Sequence, residues 1–212
     1  FGCCVNSIML KRSFDFILSF ISIILLMPLF IIIAALILVV SGSPVVYKHK
    51  RIGINAVKFE FYKFRTMVAG KSHSSEHDEI RITSIGKFLR KTSLDELPSL
   101  FNVLKGDMSF VGPRPLLVKY KDRFSSIQNR RHEVRPGISG LAQIKGRNAL
   151  SWDKKFEYDI YYVDHFNLLM DLKILFITLF QVLRGQGVSP SEQGIMPEFM
   201  EKDNVDKTSN IS

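Results

Sequence analysis

Residues 92–115, TSLDELPSLFNVLKGDMSFVGPRP, set two adjacent carboxylates, Asp95 and Glu96, in a chain whose formal net charge is +9. A Gly-Pro-Arg-Pro turn follows, and Pro113 and Pro115 stiffen the backbone on either side of Arg114. Two readings of the acidic pair compete. Ser93-Leu94-Asp95-Glu96 fits the S-x-x-E capping box, where acids in a first turn suit the helix dipole and contribute about 1 kcal/mol. The other reading is phosphoryl chemistry. A carboxylate can attack phosphorus and form an acyl phosphate, while arginine and Mg²⁺ neutralise the developing charge. Mg²⁺ is commonly held by one or two carboxylates plus substrate phosphates. Asp95 and Glu96 would then divide nucleophile, metal ligand and proton acceptor between them.

Basic residues recur around the pair: Lys63, Arg65, Arg81, Lys87, Arg90, Arg114, Arg131, Arg135 and Arg147. Attraction to anionic lipid, worth about 1 kcal/mol per basic side chain near a membrane surface, accounts for the net charge. It does not account for arginines beside prolines and glycines, where a controlled backbone suits bidentate phosphate binding. Nucleic acid is not an expected partner, because neither a groove-reading helix nor a basic sheet with aromatics is recognisable.

Several elements must position these groups. Phe16 to Val40 carries no charge over 25 residues, enough to cross a bilayer as a helix and too long for a signal-peptide core. Lys11 and Arg12 precede this run; Lys48, His49, Lys50 and Arg51 follow it. Since basic flanks favour the cytoplasmic side, a straight span would misplace one cluster. Pro28 removes a helical hydrogen bond at the midpoint. A re-entrant helix broken there and a single span with a tolerated proline both remain open on these grounds. Cys3 and Cys4 are adjacent and offer no disulfide framework, and residues 1–8 read as a leader ahead of a natural start at Met9.

Residues 45–67 alternate as a strand pair around Gly53-Ile54-Asn55. Residues 69–79 read as a polar loop, whose His73 and His77 have no regular helix to align them on a metal. Residues 84–91 and 94–105 carry helical periodicity, residues 130–147 look irregular, and 151–166 and 167–185 read as helices. The last of these, holding Asp171 and Lys173, fits a core helix or one lying in the membrane interface. Residues 190–212 are polar and expected to be mobile.

The runs RITSIGKFLRKTSLDELPSLFNVLKGDMSFVGPRPLL, RPGISGLAQIKGRN and FEYDIYYVDHFNLLMDLKIL closely resemble the bacterial sugar transferases known as monotopic phosphoglycosyl transferases. The resemblance runs from about Lys11 to Ser189. It is nearest in kind to the small members of which one initiates N-glycan assembly in Campylobacter. It implies an α+β, mostly helical fold: a re-entrant membrane helix (9–43) broken at Pro28, then a cytoplasmic catalytic domain (44–189) with a small β-hairpin and interface-associated helices. It implies transfer of a sugar 1-phosphate from a UDP-sugar to undecaprenyl phosphate, releasing UMP at the cytoplasmic face of the bacterial inner membrane. The sugar expected is an N-acetylated amino sugar.

By position, Asp95 matches the family's nucleophile and Mg²⁺ contact, and Glu96 its dyad partner. Lys63, Arg90 and Arg114 match basic residues of the phosphate site, Arg147 the nucleotide side, and Asp159 an acidic position of unassigned role. The partners implied are the UDP-sugar, undecaprenyl phosphate and the phospholipid bilayer. Downstream glycosyltransferases and a homodimer complete the expectations. One departure is Met27-Pro28 where many small members have Ser-Pro.

Overall fold

The computed structural model describes residues 2–68, 81–146, 149–184 and 199. The architecture is α+β and mostly helical, with a long apolar helix at the N-terminus. Helix α1 (Gly2–Ser41) is one element with Pro28 inside it. Its stretch Met9–Ser41 is long and apolar enough to cross a membrane. An antiparallel hairpin follows, β1 (Val46–Ile52) and β2 (Lys58–Phe64). Then come α2 (Ser84–Lys91), a 3-10 turn at Leu94–Glu96, α3 (Ser99–Lys105) and β3 (Ser109–Val111). A short α4 (Ser126–Asn129), β4 (Gly137–Ser139) and α5 (Leu141–Lys145) lead to α6 (Trp152–His165) and α7 (Leu168–Leu183).

One face of α1 belongs to the core. Ile23, Phe30, Ile33 and Ile37 are buried with Phe64 of β2, Leu89 of α2 and Leu100 of α3. Phe30 meets Phe64 and Phe101 with ring centroids 5.7 Å apart in each case. The other faces of α1 expose Phe16, Ile17, Ile24, Leu25, Ile31 and Val39. Helix α7 is similarly divided: Asp171 and Ile174 are buried, while Leu169, Leu172, Phe176, Leu179, Phe180 and Leu183 are exposed at spacings of three and four. A continuous exposed apolar stripe of this kind suits a lipid surface, the interfacial alternative for that helix.

The basic residues at the start of α1 are docking residues. Lys11 forms a salt bridge with buried Asp171 and donates to the Val111 carbonyl at 3.1 Å. Tyr162 adds its hydroxyl to Asp171 at 2.6 Å. Arg12 donates to the carbonyls of Val103 and Leu104, both at 2.7 Å, tying the start of α1 to the last turn of α3. Asp15 accepts from the Phe110 amide at 3.1 Å. Removing one partner of such a buried pair leaves an uncompensated charge, which is why these contacts fix β3 against α1.

Residues 130–146, expected to be irregular, are ordered into a 3-10 turn (Arg130–His132), β4 and α5. The glycines that argue against long elements here allow close backbone packing instead. A Cβ on Gly137 would come within 2.1 Å of the Gly112 nitrogen, so β4 can lie parallel to β3 only with glycine there. The bonds Gly112 N–H to Ser139 O (2.9 Å) and Gly137 N–H to Pro113 O (3.0 Å) then carry the pairing into the Gly-Pro-Arg-Pro turn. In the polar tail, Phe199 is buried among aromatic rings. The remaining residues of 190–212, and His73 and His77, lie outside the described residues.

Candidate active site

Asp95 and Glu96 sit on the 3-10 turn at Leu94–Glu96, not in the first turn of a longer helix. The capping box is not formed. Ser93 lies at φ 58°, in the left-handed region, and its side chain makes no cap bond. Its role is to reverse the chain between α2 and the turn, a conformation that costs a β-carbon-bearing residue about 1–2 kcal/mol. Pro98 then starts α3 separately, which splits the helix expected over 94–105. Ser99, fully buried, donates to the Glu96 carbonyl at 2.6 Å and anchors the turn.

Two elements distant in sequence bring cations to this turn. Lys63, near the end of β2, places Nζ 2.6 Å from Glu96 Oε1 and 3.4 Å from Asp95 Oδ2. Arg114 forks onto Glu96, Nη2 to Oε1 at 2.5 Å and Nη1 to Oε2 at 3.3 Å. The carboxylates are thereby made unlike. Burial would raise the Glu96 carboxyl, but Arg114 and Lys63 outweigh it and hold Glu96 well below the usual glutamate value. Burial raises Asp95 above the usual aspartate value against the pull of Lys63, and the adjacent Glu96 charge adds to the rise. Opposed environments for neighbouring carboxyls are how acid–base and nucleophilic roles separate.

The backbone of Arg114 is braced from both sides. Arg131 Nη2 donates to the Arg114 carbonyl at 2.9 Å, and Arg51 Nη1 donates to the Pro115 carbonyl at 3.3 Å. Arg131 is itself buried on Asp159, with Nε and Nη2 at 3.0 and 2.7 Å from Oδ2. Asp159 therefore reaches the acidic pair through Arg131 and Arg114. Arg90 donates Nε to Thr66 Oγ1 at 2.9 Å and makes no ion pair with either carboxylate among the described residues. Arg65 binds the Met67 and Ser43 carbonyls and Arg135 binds the Gly106 carbonyl, so these two have scaffold roles. Arg147 lies outside the described residues.

Two residues beside the site escaped the sequence reading, His49 and Arg51. The hairpin register pairs Tyr47 with Lys63, His49 with Phe61 and Arg51 with Phe59, so these six share one face. Arg51 Nε donates to His49 Nε2 at 2.5 Å. Burial, and then the nearby Arg51 cation, lowers His49 to about 4, so it is a neutral acceptor. Arg51 is lowered to about 10, by burial first and then by Arg114. Their alternation with Lys63 across a hairpin was the available signal; the basic run 48–51 obscured it.

Among the described residues no cluster of three or more His, Cys, Asp or Glu could form an all-protein cation cage. Both Glu96 oxygens are engaged by Arg114 or Lys63, whereas Asp95 meets Lys63 only at 3.4 Å. That donor set fits a Mg²⁺ held by one carboxylate together with substrate phosphates.

The family description "Bacterial sugar transferase" matches residues 6–185, and the chain belongs to that family. It is 46% identical over 197 residues to the uncharacterized sugar transferase EpsL of Bacillus subtilis (strain 168), covering 90% of this chain and 95% of that one. It is 40% identical over 183 residues to the UDP-glucose:undecaprenyl-phosphate glucose-1-phosphate transferase of Klebsiella pneumoniae. That match covers 81% of this chain and 39% of the relative. A UDP-N-acetylgalactosamine-undecaprenyl-phosphate N-acetylgalactosaminephosphotransferase of Aeromonas hydrophila is 39% identical over 188 residues, covering 84% of this chain and 44% of its own length. The chain thus spans nearly all of EpsL but less than half of the other two.

Proposed function

We propose that the protein transfers a sugar 1-phosphate from a UDP-sugar to undecaprenyl phosphate, through a covalent phosphosugar on Asp95. The observation that carries this is the unequal pair: Glu96 held by Arg114 and Lys63, Asp95 beside it with one long contact. An Asp95 oxygen attacks the phosphorus that bears the sugar. The bond from that phosphorus to the bridging oxygen breaks, and UMP departs with the bond's electron pair. An oxygen of undecaprenyl phosphate then attacks the same phosphorus and releases the Asp95 carboxylate. Lys63 and Arg114 offset the charge of two anionic substrates beside two carboxylates. Glu96 orients that cation pair and faces the lipid phosphate. Bound Mg²⁺, which Asp95 would hold, supplies charge neutralisation on the diphosphate. The product is a lipid-linked sugar, the substrate class that a following glycosyltransferase extends.

The relatives named above include enzymes with glucose and N-acetylgalactosamine donors. A panel of UDP-glucose, UDP-galactose and N-acetylated UDP-amino sugars, with undecaprenyl phosphate and Mg²⁺, tests the reading, the amino sugars being the donors proposed. Multiple-turnover UMP release that requires the lipid acceptor is expected with at least one donor. Repeated turnover without acceptor, beyond the single UMP that accompanies the Asp95 adduct, would make the protein a nucleotide-sugar hydrolase. No release with any donor from folded protein in lipid would leave a membrane-binding module.

A re-entrant α1, with both ends at the cytoplasmic face of the inner membrane, completes the proposal. It is supported by contacts at both ends. Lys11, Arg12 and Asp15 bond to residues 103–171, while Arg65 binds the Ser43 and Val45 carbonyls just beyond the other end. In a background with Cys3 and Cys4 replaced by serine, single cysteines at Leu10 and Lys50 should both be protected from an impermeant thiol reagent in spheroplasts. Labelling of either one from outside would establish a full span.

A further inference from the structure

Phe199 lies beyond residue 185, where the family match ends, yet it is 6% exposed. Its ring enters a cage of four aromatics. The centroids of Tyr120, Phe124, Trp152 and Phe156 stand 5.9, 5.7, 5.3 and 5.1 Å away. Phe124 is stacked on it at 22°, and Phe156 meets it edge-on at 69°. Offset-stacked and edge-to-face geometries at these distances are the favourable ones. The main chain is held too, because Arg123 Nη1 donates to the Phe199 carbonyl at 2.5 Å.

Two of these four rings, Phe124 and Phe156, have a second task. The Arg131 guanidinium lies 5.8 Å from the Phe124 centroid and 5.5 Å from that of Phe156. Cation–π contacts of a desolvated arginine restrict where its plane can lie. That plane bonds Asp159 and the Arg114 carbonyl. A continuous set of contacts thus runs from Phe199 through Phe124 and Phe156 to Arg131, Arg114 and Glu96.

We propose that Phe199 is a positioning residue: it locks Phe124 and Phe156 around Arg131, which fixes the Arg114 backbone and so the fork on Glu96. Without the ring, Phe124 and Phe156 gain room, Arg131 loses its fixed plane, and Arg114 loses one of its two backbone braces. Phe199 is therefore part of the phosphate site's support, although it lies beyond residue 185, where the family match ends. Its catalytic consequence rests on the transferase reading above; its structural consequence does not.

The chain's single tryptophan, Trp152, is in the cage and reports on it directly. Full-length wild type, Phe199→Ala and Phe199→Tyr are compared in lipid nanodiscs by three readouts: Trp152 emission with acrylamide quenching, backbone hydrogen exchange, and kcat and KM for the active UDP-sugar. For Phe199→Ala we expect a red-shifted, more readily quenched Trp152. Exchange should quicken at residues 114–117 and 130–132 and stay unchanged in the hairpin 46–64. We expect kcat to fall about tenfold with KM within about threefold, as for small misplacements remote from the chemistry. Phe199→Tyr, which keeps the ring, should restore all three. Unaltered Trp152 emission in Phe199→Ala would overturn the docking. Altered emission with unchanged exchange at 114–117 would overturn the coupling, as would exchange that rises uniformly along the chain. If wild type transfers no sugar, the transferase reading falls, and fluorescence with exchange still decides this proposal.

Discussion

Asp95→Asn is expected to abolish turnover, by on the order of 10³-fold or more, as removal of a nucleophile does elsewhere. Incubated with UDP-sugar and Mg²⁺ but no lipid acceptor, wild type should gain the mass of one phosphosugar. The asparagine variant should gain none, because an amide neither attacks phosphorus usefully nor binds Mg²⁺ well. The variant should remain folded. Burial already disfavours the Asp95 charge, and its only cation contact among the described residues is Lys63 at 3.4 Å. Lys63 retains Glu96 at 2.6 Å after the change. Because burial disfavours the charged form of Asp95, a neutral amide of the same shape avoids that desolvation cost, so the melting temperature should not fall. Intact-protein mass spectrometry reads the adduct. An asparagine variant that still carries it would make the acidic pair a structural turn and nothing more.

Arg114→Ala is expected to lower kcat/KM by roughly 10²–10³-fold, the range for removing one preorganised charge-stabilising group. Two losses combine. The guanidinium no longer faces the substrate phosphates, and Glu96 keeps only Lys63 as a charge partner among the described residues. Arg114→Lys should recover only part of the activity. An ammonium restores the charge but cannot reproduce the two-pronged contact with Oε1 and Oε2. Steady-state kinetics across the lipid and UDP-sugar concentrations separates the two substrates. Full activity in Arg114→Lys would mean that charge alone matters and that the fork is incidental.

Much of the fold is legible locally. The uncharged run 16–40, the alternation on either side of Gly53-Ile54-Asn55, and the helices at 152–165 and 168–183 follow from side-chain periodicity, and each is found where expected. The acidic pair is legible as a site only with its neighbours, since Asp-Glu alone fits any helix start. The capping reading fails because Ser93 adopts a positive φ and its side chain makes no cap bond. Lys11 and Arg12 were legible as charge flanking an apolar helix. Their attachment to Asp171 and to the end of α3 was not, because those partners lie some 90 to 160 positions away.

The apolar helix, the order and type of the main elements, and the residues chemically able to bind phosphate are all written locally along the chain. Periodicity and covalent stiffness are local, so a single chain displays them. Only the tertiary structure decided which cations meet the carboxylates. Lys63 arrives from β2 and Arg114 from the turn that β3 and β4 aim, while Arg65, Arg131 and Arg135 are diverted to backbone and buried partners. It also decided that Asp95 and Glu96 differ. Their side chains are one methylene apart in chemistry, and their ionisation is set by burial and by the distance to charges that non-local packing brings near.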